Sequence, residues 1–215
     1  MSDQPVVHVI DDDAPLRIEL MGVLGAAGYQ VLGYASVQEV LAPRRPLASP
    51  GCVVLDVSFP VFGGLQLQRA FARWDEPPQV VFVADSPDVP TIVRAMRAGA
   101  VDVLTKPVAP QALLAAVASA VQLDAQCHAK RQHERQLEAL YMGLTRREKA
   151  VFDRVVQGSL NKQIAADLGV AERTVKSHRA HMMEKLEARS VADLVRIAHD
   201  LTAVGDARRG ARDQH

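Results

Sequence analysis

The chain begins with a five-residue apolar run, Val6–Ile10, that stops at three acids, Asp11, Asp12 and Asp13. The pattern recurs at 52–55, a second apolar run that ends in Asp56. Runs this short and this continuously apolar predict strands buried on both faces, as in a parallel sheet covered by helices. Between them the period changes. Leu16, Leu20, Val23 and Leu24 recur at helical spacing, with Asp13 as N-cap, Pro15 in the first turn and Gly28 at the end. Further apolar runs at 29–34, 80–83 and 101–105 predict strands, and 36–41, 65–74 and 89–99 predict helices. Segment 42–50 is a proline-broken loop, and Pro60 with Gly63-Gly64 holds off a helix so that Asp56 opens onto a loop. Five strands alternating with helices predict a doubly wound parallel α/β domain.

The second part of the chain has only the helical period. Leu113, Leu114, Val117 and Val121 form one side of a helix at 110–123, and the polar stretch from Asp124 to Met142 continues it as a helical linker. Leu137, Leu140 and Leu144 on that linker are placed to meet the second domain or another protomer. Thr145-x-x-Glu148 has capping-box spacing and precedes a buried stripe of Val151, Phe152, Val155 and Val156. Helices at 161–168 and 172–186 flank the tight turn Gly169-Val170-Ala171, which is helix-turn-helix spacing. A closing helix at 190–200 carries Val191, Leu194, Val195 and Ala198, and the polar tail is expected to be disordered. The predicted domains are 1–122, a linker at 123–142, 143–201, and the tail 202–215.

Composition narrows the function classes. A 215-residue chain that is 48% hydrophobic and 23% charged holds one large domain or two small ones. No apolar run approaches a membrane span and the start lacks a signal-peptide pattern, so a cytoplasmic protein without membrane contact is expected. Cys52 and Cys127 fit neither a disulfide framework nor a metal spacing, and His128 and His133 fit a solvated helix surface. The net charge is +0, but residues 1–123 carry 8 Lys+Arg against 12 Asp+Glu and residues 124–215 carry 17 against 13. The halves therefore face different partners, with nucleic acid a candidate for the second.

A flavodoxin-like strand order, 2-1-3-4-5, would gather the ends of the first, third and fifth strands, and with them Asp11, Asp12, Asp56 and Lys106. Clustered carboxylates repel unless a cation joins them, and hard oxygen donors suit Mg²⁺. The chemistry this predicts is in-line attack of the Asp56 carboxylate on a phosphoryl group, with Mg²⁺ and Lys106 neutralising charge. Taken alone, Asp56 reads more readily as an acid that merely ends a strand. Its joint placement with the other three decides for the site. In the helix at 172–186, Val175, Met182 and Leu186 fall within about 40° of one another and face the core. Arg173, Lys176, Ser177 and Ala180 fall opposite, a face that suits entry into the DNA major groove. His178 lies nearer the core and is expected to pack or touch phosphate.

Residues 5–122, with VIDDD, LDVSFPVFGG, DVPTIVRAMRAGAVD and TKP in order, resemble the response-regulator receivers of two-component systems. Residues 144–200, from LTRREKAVFDRVVQGS through NKQIAADLGVAERTVKSHRAHMMEKLEARS, resemble the LuxR/FixJ/NarL output domain. The resemblance implies a non-enzymatic transcription factor, an activator, controlled by a histidine kinase that phosphorylates Asp56. It implies that Asp12 and Asp56 ligate Mg²⁺ with the Ser58 carbonyl, that Asp11 acts through water, and that Lys106 pairs with the phosphoryl group before a cis Pro107. By the same resemblance Lys176, Ser177 and Ala180 face bases of double-stranded DNA. Asn161, Lys162, Arg173, Thr174, His178, Arg179 and Lys185 are then candidates for its backbone. Homodimerisation on activation and contact with RNA polymerase are also implied.

Two positions depart from the receiver pattern. Ala84 stands where a Thr or Ser hydroxyl is usual, and Val103 where an aromatic ring is usual; Asp85 adds negative charge beside the site. They keep open a pseudo-receiver whose DNA binding ignores phosphate. An aspartyl-phosphate phosphatase or hydrolase using Asp56 on a substrate is a further alternative, but Ser58 stands where its second acid belongs and the second half of the chain is left unexplained.

Overall fold

The structure is a computed structural model; it describes residues 4–36, 39–40, 51–58, 63–74 and 76–212, with side chains to residue 202. The loop expected at 42–50, Pro60, and residues 37, 38 and 41 of the short helix expected at 36–41 lie outside these residues. The chain divides into two compact units, 1–129 and 130–215.

Among the described residues of the first unit, five strands form one parallel sheet: β1 (Val6–Ile10), β2 (Gln30–Tyr34), β3 (Gly51–Asp56), β4 (Val80–Ala84) and β5 (Asp102–Thr105). Their order is β2-β1-β3-β4-β5, the flavodoxin-like order expected. Alternate residues point to opposite faces, and both faces are covered. Val7, Val9, Cys52, Val54, Val81 and Val83 meet α1 (Ala14–Ala26) and the first turns of α4 (Pro110–Met142). Ile10, Val53, Leu55, Val80 and Phe82 meet α2 (Gly64–Phe71) and α3 (Val89–Arg97). That double burial explains why β1, β3 and β4 read as unbroken apolar runs. Each fully buried Leu or Phe on these faces stabilises the fold by about 1.5–3 kcal/mol.

Helices α1 and α3 stop two residues before the expected ends. Gly28 and Gly99 lie past the helix with φ of 92° and 89°, the left-handed conformation that terminates a helix instead of belonging to it. Helix α2 starts at Gly64 itself, one residue early, with Gly63 as N-cap at φ 57°. It ends at Phe71, where Trp74 turns back edge-on to the Phe71 ring with centroids 4.9 Å apart.

Helix α4 runs on from the receiver-like unit without a break, as the absence of Gly and Pro predicts. Asp124, assigned from sequence to the polar linker, is buried in the first unit, where its Oδ2 accepts the Gly51 N–H at 2.9 Å. It lies four residues beyond Ala120 and extends the buried stripe of Leu113, Val117 and Ala120. Cys52 beside it is a free thiol that burial, aided by the Asp124 charge, pushes up to about 12.

The second unit takes the last turns of α4 with α5 (Arg146–Val156), α6 (Asn161–Leu168), α7 (Glu172–Lys185) and α8 (Val191–Arg212). Leu137 and Leu144 join Val151, Phe152, Val155, Ile164, Val175, Met182, Leu186, Leu194 and Ile197 in one core, with Leu140 packed against it. They are therefore core residues of this unit. The expected capping box is present, and Gly169 ends α6 in the left-handed conformation. In α8 Leu194 and Ile197 are buried while Val191 and Val195 are exposed, and the helix runs to Arg212, past the end expected at residue 200. Residues 201–212 are rich in Ala and Arg and contain no Pro, and the glycines at 205 and 210 weaken a helix by about 1 kcal/mol each without stopping it. No helix among the described residues is long and apolar enough to cross a membrane.

Candidate functional site

Strand register sets the first site. Ile10 pairs with Leu55, so Asp11 follows β1 level with Asp56 at the end of β3. Asp56 pairs with Val83, Ala84 pairs with Thr105, and the Lys106 N–H donates to the Ala84 carbonyl at 2.8 Å. Lys106 thereby turns over the end of β4, before a cis peptide to Pro107. Its ammonium lies 2.9 Å from Asp56 Oδ2, 3.4 Å from Asp11 Oδ2 and 3.9 Å from Asp85 Oδ2. Asp11 and Asp56 are buried, whereas the Asp85 side chain is 80% exposed and stands at the rim.

Backbone donors fix the carboxylates. The Ser58 N–H donates to Asp56 Oδ1 at 2.7 Å, and the Asp13 N–H donates to Asp11 Oδ1 at 2.8 Å. Arg17, which sequence reasoning passed over, donates through Nη1 to the Asp11 carbonyl at 2.5 Å. Burial raises the Asp11 carboxyl above its ordinary range, and the Asp56 charge adds to this against the pull of the Asp13 N–H and Lys106. For Lys106 burial is the largest single effect and lowers it, but Asp56 and Asp11 together outweigh it and leave the ammonium above its ordinary value.

The donor set fits a hard divalent cation. Carboxylate oxygens of Asp11, Asp12 and Asp56 lie within 4.8 Å of one another. Asp11 Oδ2 is buried with no hydrogen-bond partner even though Lys106 is near, an arrangement that a cation in the cluster would complete. His128 and His133 join no such cluster among the described residues. Behind the site Ala84 is buried and Val103 packs against the sheet core, so no hydroxyl or ring stands at either position.

The second unit presents the other surface. Val175, Met182 and Leu186 are buried, while Arg173, Thr174, Lys176, Ser177 and Ala180 are exposed on the opposite side of α7. His178 and Arg179 are half-buried, and the Arg179 guanidinium donates to Asn161 Oδ1 at 3.0 Å, tying α7 to the start of α6. Lys162 is exposed one residue on. Lys176 reaches Glu172 on its own helix at 3.5 Å. Lys185 is engaged within the unit, with Nζ 2.8 Å from Glu148 Oε2. Only the capping half of that Glu148 arrangement is legible in the sequence.

Residues 7–118 match the family described as the response regulator receiver domain, and residues 142–198 match that of the bacterial regulatory proteins of the luxR family. Nodulation protein W of Bradyrhizobium diazoefficiens is 39% identical over 200 residues, 93% of this chain and 88% of that protein. The chain belongs to the response regulators with a LuxR-type DNA-binding domain. The regulator is also 36% identical to the transcriptional regulatory protein FixJ of Azorhizobium caulinodans, over 92% of this chain and 93% of that one. The solved structure of the response regulator StyR superposes with a TM-score of 0.81 at 42% identity, covering 91% of this chain and 98% of that one.

Proposed function

We propose that the regulator is a cytoplasmic transcriptional activator whose DNA binding is controlled by phosphorylation of Asp56 by a histidine kinase. The observation that carries this is the buried Asp56 carboxylate, held by the Ser58 N–H, facing the Lys106 ammonium at 2.9 Å with Asp11 and Asp12 beside it. Asp12 and Asp56, with the Ser58 carbonyl and Asp11 through water, would hold Mg²⁺, which supplies charge neutralisation on the transferred oxygens. One Asp56 oxygen attacks phosphorus opposite the donor's leaving group. The bond to that group breaks with its electron pair, leaving an acyl phosphate on Asp56. Lys106 then stabilises the charge on the phosphoryl oxygens, and the buried surroundings of the site strengthen that attraction.

On the output domain, Lys176, Ser177 and Ala180 face the bases. Asn161, Lys162, Arg173, Thr174, His178 and Arg179 face the phosphates, which position the helix without reading sequence. Dimerisation on activation places two such helices on half-sites about 34 Å apart. RNA polymerase is the partner that activation requires. The test is intact-protein mass after incubation with Mg²⁺ and acetyl phosphate. Wild type gains one phosphoryl group and Asp56→Asn gains none; equal gain by both would place the reaction elsewhere.

A further inference from the structure

The C-terminal end of α7 is fastened to the start of α5 through one buried oxygen. Glu148 Oε2 accepts both the Thr145 N–H at 2.7 Å and the Lys185 ammonium at 2.8 Å. The Thr145 hydroxyl oxygen in turn accepts the Glu148 N–H at 3.2 Å, so the box that begins α5 and the last turn of α7 share one charge. The Glu148 side chain is 5% exposed and that of Lys185 41% exposed.

Contacts among Val151, Phe152, Val175, Met182 and Leu186 hold the two helices together. Apolar contact is non-directional, and it leaves the roll and tilt of α7 weakly defined. A short ionic hydrogen bond to a buried carboxylate is directional and defines them. A further polar tie of α7, from Arg179 to Asn161, reaches α6 from the middle of the helix. Lys185 to Glu148 provides the second fixed point, near the far end.

We infer that Glu148 and Lys185 are a positioning pair that sets the angle at which α7 presents Lys176, Ser177 and Ala180 to DNA, and that Lys185 is not a phosphate contact. This rests on the reading of α7 as the helix that reads DNA. The Glu148 carboxyl is held down to about 2, chiefly by Lys185, so Glu148 carries its charge throughout the neutral range.

The two roles for Lys185 give opposite results for one variant. Glu148→Gln keeps an acceptor for the Thr145 N–H but removes the charge that holds Lys185. If Lys185 positions the helix, binding weakens; if Lys185 serves phosphate, it is released and binding holds or tightens. The experiment uses the full-length protein with a duplex selected by the wild type from a random-sequence pool. An unrelated duplex of equal length serves as reference, across a salt series and well below the melting temperature of every variant. We expect Glu148→Gln and Lys185→Met each to weaken the selected duplex about tenfold or more. The unrelated duplex should change by less than about twofold and the salt slope should stay constant. The double variant should be no worse than either single one, and Lys185→Arg should restore binding.

Unchanged or tighter binding by Glu148→Gln, or equal losses by Lys185→Met on both duplexes with a shallower salt slope, overturns the inference. Should Glu148→Gln fail to fold, Lys185→Met decides alone by the same comparison. Lys176→Ala separates the underlying reading. If it leaves the order of preference among selected sequences unchanged, α7 is not the reading helix and the positioning inference falls with it.

Discussion

Gly64 starts α2 in close contact with the end of β3, beside the proposed phosphoacceptor Asp56. A Cβ built there falls well inside the van der Waals shell of the Asp56 carbonyl oxygen, and 3.0 Å from both Phe82 Cε1 and Val57 Cα. Two of those three neighbours are backbone atoms at the end of β3, and the Gly64 N–H is bonded to the Val57 carbonyl at 3.0 Å. Gly64→Ala therefore forces the start of α2 and the Asp56 peptide apart. Overpacking of this kind costs about 1–3 kcal/mol. At roughly 3–6 °C per kcal/mol for a domain of this size, the receiver should melt several degrees lower. Misplacing a reacting group by about 1 Å can cost on the order of a hundredfold in rate, so phosphorylation of Asp56 by acetyl phosphate should slow far more than stability alone explains. Gly25→Ala is the control, because it lies inside α1 with nothing within 4 Å of the added carbon. It should stabilise by about 0.5–1 kcal/mol and leave the rate unchanged. A Gly64→Ala protein as stable and as fast as Gly25→Ala would mean that the start of α2 does not constrain Asp56.

His8 is buried, shares a 3.0 Å hydrogen bond with the Tyr34 hydroxyl, and is lowered by burial from 6.5 to about 4. The unfolded chain binds the extra proton first, so receiver stability is full above about pH 6.5 and falls as pH drops toward 4. Glu148 is lowered from 4.5 to about 2, so its contribution to the output domain persists above about pH 4.5 and is lost as pH falls through 2. Calorimetry between pH 6.5 and 4.5 should show the receiver transition weakening first, and parallel weakening of both transitions would contradict this. At the switch positions, a missing hydroxyl removes on the order of 1.5–3 kcal/mol of differential stabilisation. Beryllofluoride should consequently change operator affinity little, and Ala84→Thr with Val103→Tyr should enlarge the response; a hundredfold response in the unmodified protein would sink the idea. On DNA, Lys176→Ala should cost about 1–3 kcal/mol and relax discrimination at one position. Lys162→Ala should weaken all sequences alike and lower the salt slope by roughly one unit.

Much of this protein is legible in its sequence because its strongest patterns are local. The runs at Val6–Ile10 and Gly51–Asp56 announce strands buried on both faces, and each ends in the acid that matters. The convergence of Asp11, Asp56 and Lys106 follows once the strand order is known; the alternation of strands and helices predicts a doubly wound sheet, and the flavodoxin-like order is one of its common forms. What escaped the sequence is long-range. Asp124 looks like the first polar residue of a linker, and only its pairing with Gly51, 73 positions away, makes it part of the receiver core. Glu148 advertises a helix cap, while its second partner, Lys185, lies 37 residues on. The length of α8 differs for another reason: polar composition past residue 200 predicts an early end, but Ala-rich and Arg-rich stretches without Pro propagate a helix from a packed start.

If phosphate on Asp56 controls DNA binding, operator affinity must differ with and without a phosphodonor. Wild type and Asp56→Asn would be titrated against a duplex selected by the wild type, in Mg²⁺, before and after acetyl phosphate, with intact mass confirming the extent of modification. Wild type should bind more tightly after treatment, by about tenfold at most given Ala84 and Val103. Asp56→Asn should not respond. A fully phosphorylated wild type with unchanged affinity, or an Asp56→Asn protein that tightens equally, would contradict the account.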